Sequence, residues 1–217
     1  GEYMPWSGVA ELPQDQRVDD AKSVCFDTPL LNDPLELLGT PLVHLRVSSD
    51  RDCGLIVARI CDVAPDGAST LITYGILNLK LREGREQLAS VTAGEWMDVT
   101  IRLNDTGWRI KRGHRVRLAI STQMWPMAWP LEEVAELDIE LASSRLDLPV
   151  RHPEATGEIS LPFEPAVSAA APPHHVLREP SGTRHVTHNI QTGDAIYDIA
   201  TDGGEVRFDN TGLAYGS

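Results

Sequence analysis

The chain has 217 residues, 41% hydrophobic and 24% charged, with 17 Gly, 15 Pro and a formal net charge of −13. That length suffices for one large core, and the acidic balance excludes a nucleic-acid surface, which needs clustered Lys and Arg. No apolar run approaches the ~18 residues of a membrane-spanning helix, so neither nucleic acid nor membrane is expected as a partner.

Taken along the chain, the hydrophobic pattern alternates with period 2, the signature of strands that bury one face. Val43, Leu45 and Val47 share a face opposite His44, Arg46 and Ser48. The next run, Leu55–Val63, is apolar on both faces apart from Arg59, which marks a strand that is either central and covered or turned toward a missing partner. It leads through Ala64-Pro65-Asp66-Gly67 into a second strand-like run ending near Leu81. Pro suits position i+1 of a type I turn and Gly position i+3, so a hairpin is expected. Met97, Val99, Ile101 and Leu103 alternate with Asp98, Thr100 and Arg102. Residues 104–113 could hold one short helical turn capped by Asn104 or Asp105. Val116, Leu118 and Ile120 alternate with Arg115, Arg117 and Ser121, and Leu137, Ile139 and Leu141 with Glu136, Asp138 and Glu140. The mixed charges on the polar faces read as cross-strand ion pairs, worth about 0.2–1 kcal/mol each.

Residues 162–180 are rich in Ala and Pro and read as an extended connector. Two or three short strands follow, 183–191 and 195–200 around Thr192-Gly193-Asp194, then Glu205–Phe208. The expected class is all-β: an antiparallel sandwich with its lead-in over 1–163, a connector over 164–182 and a short β-hairpin extension over 183–217, apparently truncated. Cys25, Cys53 and Cys61 cannot all pair within one chain, and their spacing fits neither a zinc knuckle nor a CxxC motif. They read as reduced thiols, which favours a cytoplasmic home. Gly1 in place of Met reads as an internal start.

Catalytic signals are sparse. A nucleophile elbow needs Gly-x-Ser-x-Gly, and the nearest approach, Gly67-Ala68-Ser69-Thr70-Leu71, lacks the second glycine. His185 and His188 stand i, i+3 on a strand and so point to opposite faces, while His174-His175 sits in the connector with no acid nearby in sequence. Asp19-Asp20 and Glu132-Glu133 are adjacent and diverge in extended chain, unlike a facing glycosidase pair. Asp50-Arg51-Asp52 lacks the full set of oxygens a calcium loop requires. No catalytic residue, cofactor or metal site is assigned. Met124-Trp125-Pro126-Met127-Ala128-Trp129-Pro130 is the most unusual local feature, because its prolines preclude regular structure and leave two Trp and two Met on a loop. Three roles fit it: local core over the sandwich end, an apolar contact with another domain, or a sugar-stacking platform. Met124, Trp125, Met127 and Trp129 are the interface candidates, with Trp6 a further member of the same patch.

Several segments in order resemble one known family. They are Asp15-Gln16-Arg17-Val18-Asp19-Asp20-Ala21-Lys22-Ser23, Phe26-Asp27-Thr28-Pro29-Leu30, Leu37-Leu38-Gly39-Thr40-Pro41, Arg46-Val47-Ser48-Ser49-Asp50, Cys61-Asp62-Val63-Ala64-Pro65-Asp66-Gly67, Gly75-Ile76-Leu77-Asn78-Leu79 and Gly113-His114-Arg115-Val116-Arg117-Leu118-Ala119-Ile120-Ser121. Spread over about residues 10–141, they resemble the C-terminal, non-catalytic domain of the cocaine esterase/X-prolyl dipeptidyl-peptidase (CocE/NonD) serine hydrolases. The resemblance implies a jelly-roll sandwich of galactose-binding-like type. It also implies a parent enzyme that hydrolyses esters or X-Pro peptide bonds with a Ser-His-Asp triad on a separate α/β-hydrolase domain. None of those triad residues maps here, so the fragment itself is expected to be inactive. Its implied partner is that catalytic domain, with homo-oligomers through the exposed interface a further expectation. The competing role is a free-standing carbohydrate- or ligand-binding module.

Overall fold

The structure is a computed structural model that describes residues 15–125, 127–151, 164–165 and 167–216. It is 46% strand and 5% helical. The chain divides into two compact units, whose described parts are residues 15–151 and 164–216.

In the first unit a single helical turn, α1 (Arg17–Asp20), precedes eight strands: β1 (Val24–Asp27), β2 (Leu35–Gly39), β3 (Leu42–Ser49), β4 (Leu55–Val63), β5 (Ser69–Asn78), β6 (Trp96–Arg102), β7 (Thr106–Ile110) and β8 (Arg115–Ser121). Their antiparallel pairing is nested, β4 with β5, β3 with β6, β2 with β7 and β1 with β8. This is a jelly roll, in which one long double ribbon is folded over on itself. The turn at the middle of that ribbon is the Pro65-Asp66-Gly67 hairpin. Gly67 N–H donates to Ala64 O at 2.9 Å, Ala68 N–H to Asp66 Oδ1 at 3.0 Å, and Gly67 takes φ +87°. A side chain is strained at that angle, which is why glycine stands there.

One sheet has the order β1-β8-β4-β5. The other is built on β3 and β6, joined at the free edge of β3 by β9 (Leu137–Ile139) and β10 (Arg145–Asp147), with β2 and β7 as a separate pair. Between them lies a core of Val43, Leu45, Val47, Ile56, Ile60, Val99, Ile101, Val116, Leu118 and Ile120, all buried, with Leu137 and Ile139 packed against it. These are the inward residues expected from the alternation, while Arg46 and Arg117 point outward. Each such side chain contributes about 1.5–3 kcal/mol by leaving water. On the side where β1 approaches β9 and β10, an apolar cavity of about 310 Å³ opens between the sheets, lined by Phe26, Leu45, Leu118, Ile139, Leu141 and Leu146 among others.

Two local expectations are corrected. Residues 104–113 do not form a helical turn, because Thr106–Ile110 is strand β7 in register with β2 (Leu37 opposite Trp108). Only the distant partner strand could decide that. The polar-face ion pairs hold for Arg46, which meets Asp98 at 3.6 Å and Glu140 at 3.2 Å. They hold also for Arg117, which grips Asp27 directly opposite on β1 and reaches Asp20, whereas Arg102 meets Asp105 and Arg115 donates to Thr28 O.

In the second unit, β11 (His174–Arg178) lies inside the stretch expected to be a connector and pairs with β14 (Glu205–Phe208), which pairs with β15 (Ala214–Gly216). A separate hairpin joins β12 (Ser181–His188) to β13 (Ala195–Asp202) through the turn at Gly193, φ +79°. Pairing with β14 brings Asp209 to 3.2 Å from His175 Nε2, so that histidine has an acid partner which its sequence surroundings did not reveal.

Candidate functional site: the outer face of the central sheet

All nine residues of β4 are buried. Ile56, Ala58 and Ile60 face the core between the sheets, while Leu55, Val57, Arg59, Cys61 and Val63 face outward. A sheet face turned to solvent cannot be that dry, so something must cover it. The chain supplies two covers of opposite chemistry.

The first is apolar. After β8 the chain turns back so that Met124, 7% exposed, packs on Leu55 and Val57 beside Tyr74, Ile76, Ala128 and Leu131. Ala128 N–H donates to Met124 O at 2.9 Å and closes the loop. Met124 thus packs as local core, because as the first residue of the loop it still lies over the strand it leaves. Its neighbours point away. Trp125 is 40%, Met127 37% and Trp129 81% exposed, and the two indole rings meet edge-to-face at 5.1 Å with 69° between planes. Trp6 lies outside the described residues.

The second cover is ionic. Residues 15–23 cross the opposite half of the face, with Gln16 N–H donating to Ser69 O at 2.7 Å. Arg59, 4% exposed, donates to Gln16 Oε1 at 2.8 Å and Ser23 Oγ at 3.0 Å, and its guanidinium lies 3.0 Å from Asp20 Oδ1. That last contact is ionic rather than a directed hydrogen bond. Asp20 Oδ2 accepts from Ser69 Oγ at 2.7 Å and Arg117 Nη1 at 3.1 Å. Arg117 then grips Asp27 with two hydrogen bonds of 2.7 Å. The paired guanidinium holds the Asp27 carboxyl below the usual carboxylate range and raises Arg117 in turn. Cys61, on the same face, is pushed up to about 12, first by burial and then by the Asp20 charge. Sequence reasoning missed this network, although Arg59 was its one visible signal: a buried guanidinium must be paired.

Ser69, in the nearest approach to an elbow motif, is a fully buried strand residue that donates to Asp20. Asp62 accepts from Trp108 Nε1 at 3.1 Å and pairs with His114 Nδ1 at 2.7 Å. Among the described residues no hydroxyl or thiol hydrogen-bonds to that histidine, so the pair is an end-cap of the sandwich rather than a charge-relay dyad. Asp50 and Asp52 are engaged by Arg51 and Lys80, and Glu133 by Arg51. Cys25, Cys53 and Cys61 are free thiols. Among the described residues no helix is long and apolar enough to cross a membrane.

Residues 3–187 match the model of the X-Pro dipeptidyl-peptidase C-terminal non-catalytic domain. The chain belongs to that family. It is 34% identical over 116 residues to a cocaine esterase of Rhodococcus sp. (strain MB1 Bresler), covering 52% of this chain and 20% of the relative. It is also 34% identical over 163 residues to the Xaa-Pro dipeptidyl-peptidase of Streptococcus pneumoniae (strain Hungary19A-6), covering 59% and 21%. The chain thus spans about a fifth of the length of these relatives. Among solved structures an α-amino acid ester hydrolase superposes with a TM-score of 0.60 at 22% identity, over 63% of this chain and 27% of that one. A CocE/NonD family hydrolase of Staphylococcus aureus superposes with 0.51 at 18%, over 64% and 32%. These two likenesses show the fold.

Proposed function

We propose that this domain packs on an α/β-hydrolase catalytic domain of the same protein, stabilises it and helps shape access to its active site. The parent reaction is acyl transfer to water from an ester or an X-Pro peptide, the classes named for its relatives. The observation that carries the docking surface is the Trp125–Met127–Trp129 loop. Its apolar side chains stand in solvent although the same loop buries Met124, and Trp and Met are favoured at interface centres. Self-association through the same patch would compete with docking. The edge-to-face geometry argues against the alternative of a carbohydrate platform, since a sugar ring stacks on a flat aromatic face. Three unpaired thiols fit a reducing, cytoplasmic setting.

The test adds the separately expressed hydrolase domain of the parent reading frame to this chain. Binding should protect Met127 from peroxide and quench Trp129, and Trp129→Ala should weaken it at least tenfold. Binding unaffected by Trp125→Ala and Trp129→Ala together would overturn the interface. Stoichiometric labelling of this chain alone by a serine-directed phosphonate, with p-nitrophenyl acetate turnover, would overturn the accessory role.

A further inference from the structure

The two covers of β4 differ in how they are held. The Met124 loop buries apolar surface. The strap of residues 15–23 buries only Gln16 and Asp20, both polar, and leaves Val18 70% exposed. Arg17, Ala21 and Lys22 are exposed as well. Its attachments to the sheet are polar throughout: Gln16 to Ser69 and Arg59, Ser23 to Arg59, and Asp20 to Ser69, Arg59 and Arg117. Burying a charged pair carries a desolvation cost, which the mutual attraction offsets only while the geometry is intact. No hydrophobic term acts behind it. Segments with few buried apolar contacts open locally, below the free energy of global unfolding.

We propose that residues 15–23 form a strap, fastened over the outer face of β4 by the Asp20–Arg59–Arg117 ionic network, that opens as a unit of its own and uncovers Cys61 while the sandwich stays folded. The Met124 loop and the core between the sheets keep the rest of β4 in place when the strap lifts. Arg59 and Arg117 then reach water and lose little, because their charges are solvated once uncovered. Cys61 is fully buried when the strap is closed. Its neighbours on that face are Asp20, Arg59, Ser69 and Arg117, three of them fastening groups and Ser69 the acceptor of the Gln16 amide. Cys61 therefore reports strap opening directly.

The experiment alkylates the full chain with N-ethylmaleimide in a urea series and follows the Cys61 peptide by mass spectrometry, with global unfolding read by far-UV circular dichroism. Below the unfolding transition, Cys61 labelling should depend on urea with less than half the slope of global unfolding. Asp20→Asn should speed labelling at least tenfold while the global midpoint moves little, and Gln16→Ala should speed it by a smaller factor. Hydrogen exchange should show residues 15–23 losing protection in both variants while residues 99–103 keep it. If Cys61 labels only with the slope of global unfolding in the wild-type chain and in Gln16→Ala, strap and sandwich are one cooperative unit and the proposal fails. Equal loss of protection at 15–23 and 99–103 would refute it too, even if Asp20→Asn does not fold.

Discussion

Gly75→Ala should destabilise the sandwich by about 2 kcal/mol, although glycine-to-alanine in a strand ordinarily gains stability. Gly75 sits on β5 opposite Ala58. A Cβ there would stand 2.6 Å from Arg102 O and 3.1 Å from Leu103 Cα, both backbone atoms of the facing sheet. The nearer contact falls 0.8 Å short of the 3.4 Å at which ordinary packing begins (3.4 − 2.6). The facing backbone cannot retreat freely, because Leu103 N–H is bonded to Pro41 O at 3.1 Å and Asn104 N–H to Tyr74 O at 3.0 Å. Overpacking costs about 1–3 kcal/mol, and backbone on the far side puts this site at the upper end. Subtracting the ~0.4–1 kcal/mol gained from a stiffer unfolded chain leaves about 2. With a urea slope of about 2 kcal/mol/M the midpoint should fall by about 1 M. Gly107→Ala is the control, since its Cβ would meet only Leu38 Cδ1 at 3.7 Å, and it should be neutral or slightly stabilising. Urea unfolding followed by circular dichroism decides it. A Gly75→Ala midpoint equal to or above wild type would refute the close approach of β5 to the end of β6.

Met124→Ala should cost about 2–5 kcal/mol in the same assay, as other buried Met truncations do, while Trp129→Ala should stay within about 0.5. The Asp27 carboxyl is held low by Arg117, so its stabilisation is present above the ordinary carboxylate range and is lost as pH falls through its folded value. Asp27→Asn should therefore lower stability by up to about 1 kcal/mol at pH 7 and remove part of the acid-side slope, measured by urea midpoints from pH 7 to 2. Cys61, raised to about 12, stabilises the fold while it stays a thiol. That contribution is complete below about pH 8.5, and the wild-type chain should lose stability relative to Cys61→Ala by about 1.4 kcal/mol per unit between roughly pH 9 and 11.

For the strands with period-2 alternation, strand character and the choice of dry face are written locally. Neighbouring side chains in extended chain point to opposite sides, so Val43, Leu45, Val47, Val116, Leu118 and Ile120 announce a half-buried strand whatever it pairs with. The central hairpin is equally local, since Pro65 and Gly67 set its backbone angles. The two-sided run around Arg59 announces a covered strand in the same way. What covers it, however, is settled between groups far apart in sequence: Arg59 meets Gln16 across 43 positions and Arg117 meets Asp20 across 97. Ionic attraction has no sequence period, so only the nested pairing of β1 with β8 and β4 with β5 brings those charges together. The same holds for β7, whose strand character depends on β2, and for His175, whose acid partner arrives with β14. Met124 and Trp129 look alike as large apolar residues on one loop. That one is core and the other stands in solvent was decided by tertiary structure, because burial depends on where the loop comes down on β4.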